Sequence, residues 1–102
     1  MYYLEFVRTS AWREKMAFKI AEIKNETGLH TRPGNEFVSL AKTFESQIDL
    51  ENEDGKKVKG TSLLKILSLG IKKGSKIKVH AEGKDADEAV EKLTYLLENL
   101  KD

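Results

Sequence analysis

The chain has 102 residues, 34% of them charged, with 18 basic side chains against 17 acidic ones and no cysteine. That length suits one domain, and the lack of cysteine excludes disulfides, thiolate nucleophiles and cysteine-rich zinc sites. The net charge of +1 offers no basic excess of the kind nucleic-acid binding needs, and Lys or Glu interrupts every apolar run short of a membrane span.

Taken in chain order, residues 1–15 stand apart from the rest. Met1–Val7 is aromatic and apolar, and Arg8–Lys15 has no pattern. The segment is read as a leader, translated from upstream or appended and without ordered structure, with a short added strand as the alternative. Without it, 15 basic and 15 acidic groups remain. It lacks the continuous apolar stretch of a secretory signal, and a cytoplasmic location is expected. The domain proper is placed at residues 16–102.

Met16–Lys24 has strand composition with imperfect alternation. Asn25-Glu26-Thr27-Gly28 is turn chemistry. From Pro33 to about Phe44, the apolar set Phe37, Leu40, Ala41 and Phe44 follows one helix face, and Pro33 suits a first turn. Gly34 and Asn35 are weak helix formers there, Gly34 by about 1 kcal/mol relative to Ala. Gln47–Glu51 alternates as a half-buried strand, Asn52–Gly55 supplies a hairpin turn, and Lys56–Lys59 returns. Gly60-Thr61-Ser62 leads into a short helix, Leu63–Leu69, with a hydroxyl before it and Gly70 after it. Ser75–Glu82 alternates cleanly, with Ile77, Val79 and Ala81 on one side and Lys76, Lys78, His80 and Glu82 on the other. Asp85 and Glu88 have the spacing of a capping box. Ala89, Val90, Leu93, Leu96, Leu97 and Leu100 form the stripe of a last helix.

The order β-α-β-β-α-β-α, with one hairpin and three amphipathic helices, predicts an α+β domain. It is a two-layer open-faced sandwich, with a four-stranded antiparallel sheet, three helices on one face and solvent on the other.

The two histidines differ in setting. His80 lies on the charged side of its strand and reads as an exposed surface residue, with no metal-ligand spacing beside it. His30 ends a turn and directly precedes a helix that opens Thr31-Arg32-Pro33. A histidine there can be a simple cap. A helix start also presents unpaired N–H groups and partial positive charge, which suit a phosphate. Arg32 adds a guanidinium that bonds phosphate oxygens in a fork. An imidazole so placed can be nucleophile and phosphoryl anchor at once. No Walker motif or dinucleotide glycine fingerprint accompanies it, which favours carrying a phosphoryl group over making one. No cofactor and no metal is expected.

Gly28–Pro33, Thr61–Gly70 and the strand end Ala81-Glu82-Gly83, in this order and spacing from about Met16 to Leu100, resemble HPr. HPr is the histidine-containing phosphocarrier family of the bacterial phosphoenolpyruvate:sugar phosphotransferase system. The resemblance implies that enzyme I phosphorylates Nδ1 of His30 and that the group then moves to a histidine of an enzyme IIA domain, committing it to sugar uptake. The chain would then be a carrier and not an enzyme, with Thr31 and Arg32 binding the phosphoryl group. It places Leu63, Leu64 and Leu67 at the partner-docking positions. A short amphipathic helix cannot bury all its leucines, so one or two exposed ones are expected. Ser62 aligns with the serine that an ATP-dependent kinase modifies in many Gram-positive relatives. Lys65, however, stands where those members commonly have glycine, and a cap role for Ser62 is preferred.

A paralogue serving a nitrogen-related or regulatory relay, and a non-catalytic module in which His30 merely caps, are the competing readings. A monomer is expected.

Overall fold

A computed structural model describes residues 15–102 as seven elements: β1 (Met16–Glu22), α1 (Thr31–Ala41), β2 (Gln47–Glu51), β3 (Lys57–Lys59), α2 (Leu63–Leu67), β4 (Lys76–Glu82) and α3 (Ala86–Glu98). The leader assigned to residues 1–15 lies outside the described residues except for Lys15.

The four strands form one antiparallel sheet in the order β1-β4-β2-β3. Alternation decides which face is buried. Ile48 and Leu50 of β2, Val58 of β3 and Ile77, Val79 and Ala81 of β4 all point into the core. There they meet Phe37, Val38 and Ala41 of α1, Ile66 of α2, and Ala86, Ala89, Val90, Leu93 and Leu97 of α3. α3 lies across β1 and β4, while α1 packs against both other helices. The expected open-faced sandwich is therefore the fold observed.

Several boundaries and two residue readings differ from expectation, β3 and β4 each starting one residue later than expected, at Lys57 and Lys76. β1 ends at Glu22, because Ile23 turns its backbone to the Gly74–Ser75 turn, donating to the Ser75 carbonyl at 2.9 Å and accepting from Gly74 at 2.7 Å. The imperfect alternation of β1 has a physical basis: Ala17 and Ala21 face the helices, whereas Met16, Phe18 and Ile20 face solvent. α1 begins at Thr31 and stops at Ala41, where Lys42 and Thr43 close the last turn onto Val38 and Leu40. α2 ends at Leu67 and not at Leu69, with Gly70 in the left-handed region (φ 61°) beyond it.

Asp85 makes no capping box, since its side chain forms no cap bond on α3. Its carboxylate instead accepts from the amides of Glu45 (2.8 Å) and Ser46 (2.9 Å) and from the Ser46 hydroxyl. These bonds, led by the Ser46 hydroxyl, hold the Asp85 carboxyl below the usual carboxylate range. His80 is not a bare surface residue either: only a quarter of its side chain is exposed, and Nε2 lies 2.7 Å from Glu51 Oε1. This hydrogen bond is the main cause of a lowered Glu51 pKa.

Candidate functional site

The approach to His30 is built by a short polar turn. Asn25 is buried, and its Nδ2 donates to the Gly28 carbonyl (2.9 Å) and to Asp102 Oδ1 (3.0 Å). Gly28 takes φ 71°, and a side chain there would collide with the Ile71 carbonyl oxygen, so both the turn and the close approach require glycine. Leu29 then donates to that same carbonyl at 3.2 Å and buries its side chain in the core. With Leu29 anchored inward, His30 is left exposed at the surface.

His30 occupies the N-cap position of α1 in extended conformation (φ −101°, ψ −163°), and its carbonyl accepts the first helical bond from Gly34 at 2.7 Å. Its imidazole makes no capping bond. Pro33 has no N–H, so the first turn offers the amides of Thr31 and Arg32 as unpaired donors. The first turn holds no acidic residue, which leaves the positive end of the helix uncompensated. Arg32 is exposed and, among the described residues, has no carboxylate within ion-pair distance. It lines one shallow hollow with Glu36, Leu100 and Asp102.

Asp102 is a member of this region that reading the sequence missed. Its carboxylate accepts from the Glu26 amide (2.8 Å), the Thr27 amide (2.9 Å) and the Thr27 hydroxyl (2.6 Å), as well as from Asn25. The Thr27 hydroxyl foremost, with these amides, holds its carboxyl well below the usual carboxylate range. The turn before His30 is thus tied to the residues that follow α3. Only the Asn-Glu-Thr-Gly turn was visible in the sequence, since the partner lies 75 residues away.

Helix α2 stands beside α1 at Gly34, where an added Cβ would lie 2.8 Å from Leu63 Cδ1 and 3.8 Å from Leu67 Cδ2. Leu63 and Leu67 are half-buried at this contact, and Leu64 is 80% exposed. The contact of Leu63 and Leu67 therefore falls at Gly34, one helical turn along α1 from His30. Ser62 is the N-cap of α2, its hydroxyl accepting from the Lys65 amide at 3.4 Å.

The family model described as the PTS HPr component phosphorylation site matches residues 18–99. The chain belongs to the HPr family. It is 44% identical to the phosphocarrier protein HPr of Vibrio cholerae over 82 residues, 80% of this chain and 95% of that HPr. The crystal structure of the HPr from Bacillus anthracis superposes with a TM-score of 0.76 at 38% identity, covering 80% of this chain and 96% of that one. The multiphosphoryl transfer protein of Salmonella typhimurium is 44% identical over 70 residues, 67% of this chain, but the match spans only 19% of that larger protein's length. HPr-family proteins are phosphocarriers of the phosphotransferase system, and the His30 turn and α2 both fall within the matched segment.

Proposed function

We propose that this HPr-family chain accepts a phosphoryl group on His30 from phosphorylated enzyme I and passes it to a histidine of an enzyme IIA domain, serving sugar uptake. The supporting observation is the state of His30. Its imidazole is exposed and free of any capping role, at a helix start with no acid in its first turn, and Arg32 nearby has no ion-pair partner among the described residues.

In the first transfer the lone pair of Nδ1 attacks phosphorus on the donor phosphohistidine. A new P–N bond forms as the donor's P–N bond breaks, and the donor imidazole leaves with its electron pair. The second transfer repeats the exchange with the IIA imidazole as nucleophile, returning His30 to its starting form. Arg32 supplies a fork of donors to the phosphoryl oxygens, and the Thr31 and Arg32 amides add the field of the helix end. All these groups face water, so they hold the dianion with moderate strength. A carrier needs that compromise, because a tightly held group would not leave.

Leu63, Leu64 and Leu67 form the docking surface for both partners, which bind it in turn. An apolar patch beside the reactive nitrogen lets successive enzymes share one footprint. Ser62 acts as the cap of α2, and a serine kinase is not required for the relay. The carrier domain comprises residues 16–102 and works in the cytoplasm.

Incubation with enzyme I and phosphoenolpyruvate tests the reading. Wild type is expected to gain one acid-labile phosphoryl group (about 80 Da), and His30→Ala none. A gain that persists in His30→Ala would refute the site. Transfer to nitrogen-type but not sugar-type IIA domains would refute the sugar assignment.

A further inference from the structure

The face of the sheet away from the helices is a ladder of alternating acidic and basic side chains over three of its strands. Register sets Lys78 beside Glu51 and Glu51 beside Lys57, and likewise His80 beside Asp49 and Asp49 beside Lys59. β1 breaks this pattern. Its outward residues Met16, Phe18 and Ile20 are 78%, 62% and 53% exposed. Phe18 is partly shielded by Lys78, whose Nζ lies 4.9 Å from the ring centroid, and by the tilted His80 ring.

Among the described residues β1 is also an end strand, paired with β4 alone. The direction of its backbone groups follows from its two ends. The Lys15 carbonyl accepts from Gly83, and the Ile23 amide donates to Ser75, so the odd-numbered residues face β4. The Glu22 amide instead donates to the Glu98 carboxylate at 3.2 Å, so the even-numbered residues face the outer edge. Alternation then puts the amides and carbonyls of Met16, Phe18 and Ile20 on that edge. No described turn, loop or side chain bonds to them. The residues that offer open backbone groups are the same ones that offer apolar side chains.

We propose that this edge pairs with the β1 edge of a second copy of the chain, antiparallel about a two-fold axis through Phe18. In this register Phe18 opposes the partner's Phe18 and Met16 opposes the partner's Ile20, so each outer-face pair is apolar and each can exchange backbone bonds. On the helix face Lys19 opposes the partner's Ala17 and keeps its 2.9 Å ion pair with Glu91. The apolar column of Met16, Phe18 and Ile20, matched in full only here, selects this register over its neighbours. Sliding the copies two residues one way opposes Lys19 to the partner's Lys19 and Met16 to the partner's Glu22, whose amide Glu98 already holds. Sliding them the other way sets Lys15 against the partner's Lys19. Like charges placed directly opposite are destabilising. The pairing through Met16–Ile20 is far shorter than the about 20–30 residues a side of a standard interface, so it is reversible and depends on concentration. The expected monomer is then the dilute form.

Sedimentation of the full chain over a concentration series, with amide exchange measured by NMR on the same samples, tests the pairing. The mass is expected to climb toward that of a dimer as the Met16, Phe18 and Ile20 amides become protected. Phe18→Lys is expected to weaken association about tenfold or more. Phe18→Pro, which removes an edge donor and spares the β4 ladder, is expected to do the same. Neither variant should alter phosphoryl acceptance on His30. A monomer at every concentration, or a dimer that Phe18→Lys leaves intact, would overturn the proposal. So would protection of these amides in the monomer, which would give the edge to residues 1–14 of the same chain.

Discussion

Gly34 and Leu63 set the spacing of the two helices beside His30: a methyl group on Gly34 would stand 2.8 Å from Leu63 Cδ1. The sequence marks Gly34 only as a weak helix former, whereas the fold uses its missing side chain to bring α2 against the first turn of α1. Gly34→Ala gains about 1 kcal/mol of helix propensity, and the displaced atom is the end of a flexible side chain. Its stability in urea should therefore lie within about 1 kcal/mol of wild type. Gly34→Val must move α2 itself and should lose about 1–3 kcal/mol. Equal stability of all three proteins would contradict the packing described.

Asp85 makes the opposite choice to the one its spacing suggests, bonding the Glu45–Ser46 turn in place of its own helix. Asp85→Ala should cost about 1–3 kcal/mol, because the buried Ser46 loses a charged acceptor. Glu88→Ala should change stability by less than about 0.5 kcal/mol, since among the described residues Glu88 makes only an exposed pair with Lys92. Denaturation of both variants checks this, and a larger loss for Glu88→Ala would restore the capping box.

Asp102 carries a pH prediction. Its pKa is depressed in the folded chain, so its bonds to Asn25, Glu26 and Thr27 contribute stability above the unfolded pKa of about 3.9. That contribution is lost as pH falls through the depressed folded value. Melting temperatures of wild type and Asp102→Asn should differ most near neutrality and converge in acid. The Glu26 and Thr27 amides should show the largest NMR shifts in the variant. A constant difference at every pH would remove the carboxylate from the account.

Arg32 is the one charged side chain of the α1 first turn. Arg32→Ala should slow phosphoryl acceptance about 10–100-fold by removing roughly 1.4–2.7 kcal/mol of charge-assisted bonding. Arg32→Lys should recover part of that rate, because the charge remains while the fork is lost. Rapid-quench kinetics with enzyme I would measure both, and an unchanged rate in Arg32→Ala would exclude its role.

The parts of the fold legible in the sequence are those written in short periods. Ile77, Val79 and Ala81 announce β4, the leucine stripe announces α3, and the turn before His30 announces an exposed residue at a helix start. The parts that were not legible depend on contacts between distant segments. His80 and Glu51 meet only because β4 and β2 are neighbours in the sheet, and Asp102 meets Thr27 only after α3 has crossed it. Side-chain choices between two possible partners, as at Asp85, are settled by tertiary packing and leave no local pattern. The exposed column on β1 was hidden because apolar residues occur on both its faces, which blurs the alternation that marks a buried side.

The central claim is that His30 carries the phosphoryl group, and locating that group is the most direct test. After treatment with enzyme I and phosphoenolpyruvate, heteronuclear NMR of the ¹⁵N-labelled chain should show ³¹P coupled to Nδ1 of His30, with the His80 ring signals unchanged. Phosphorus coupled to His80, or found on any oxygen of the chain while His30 stays unmodified, would contradict the account.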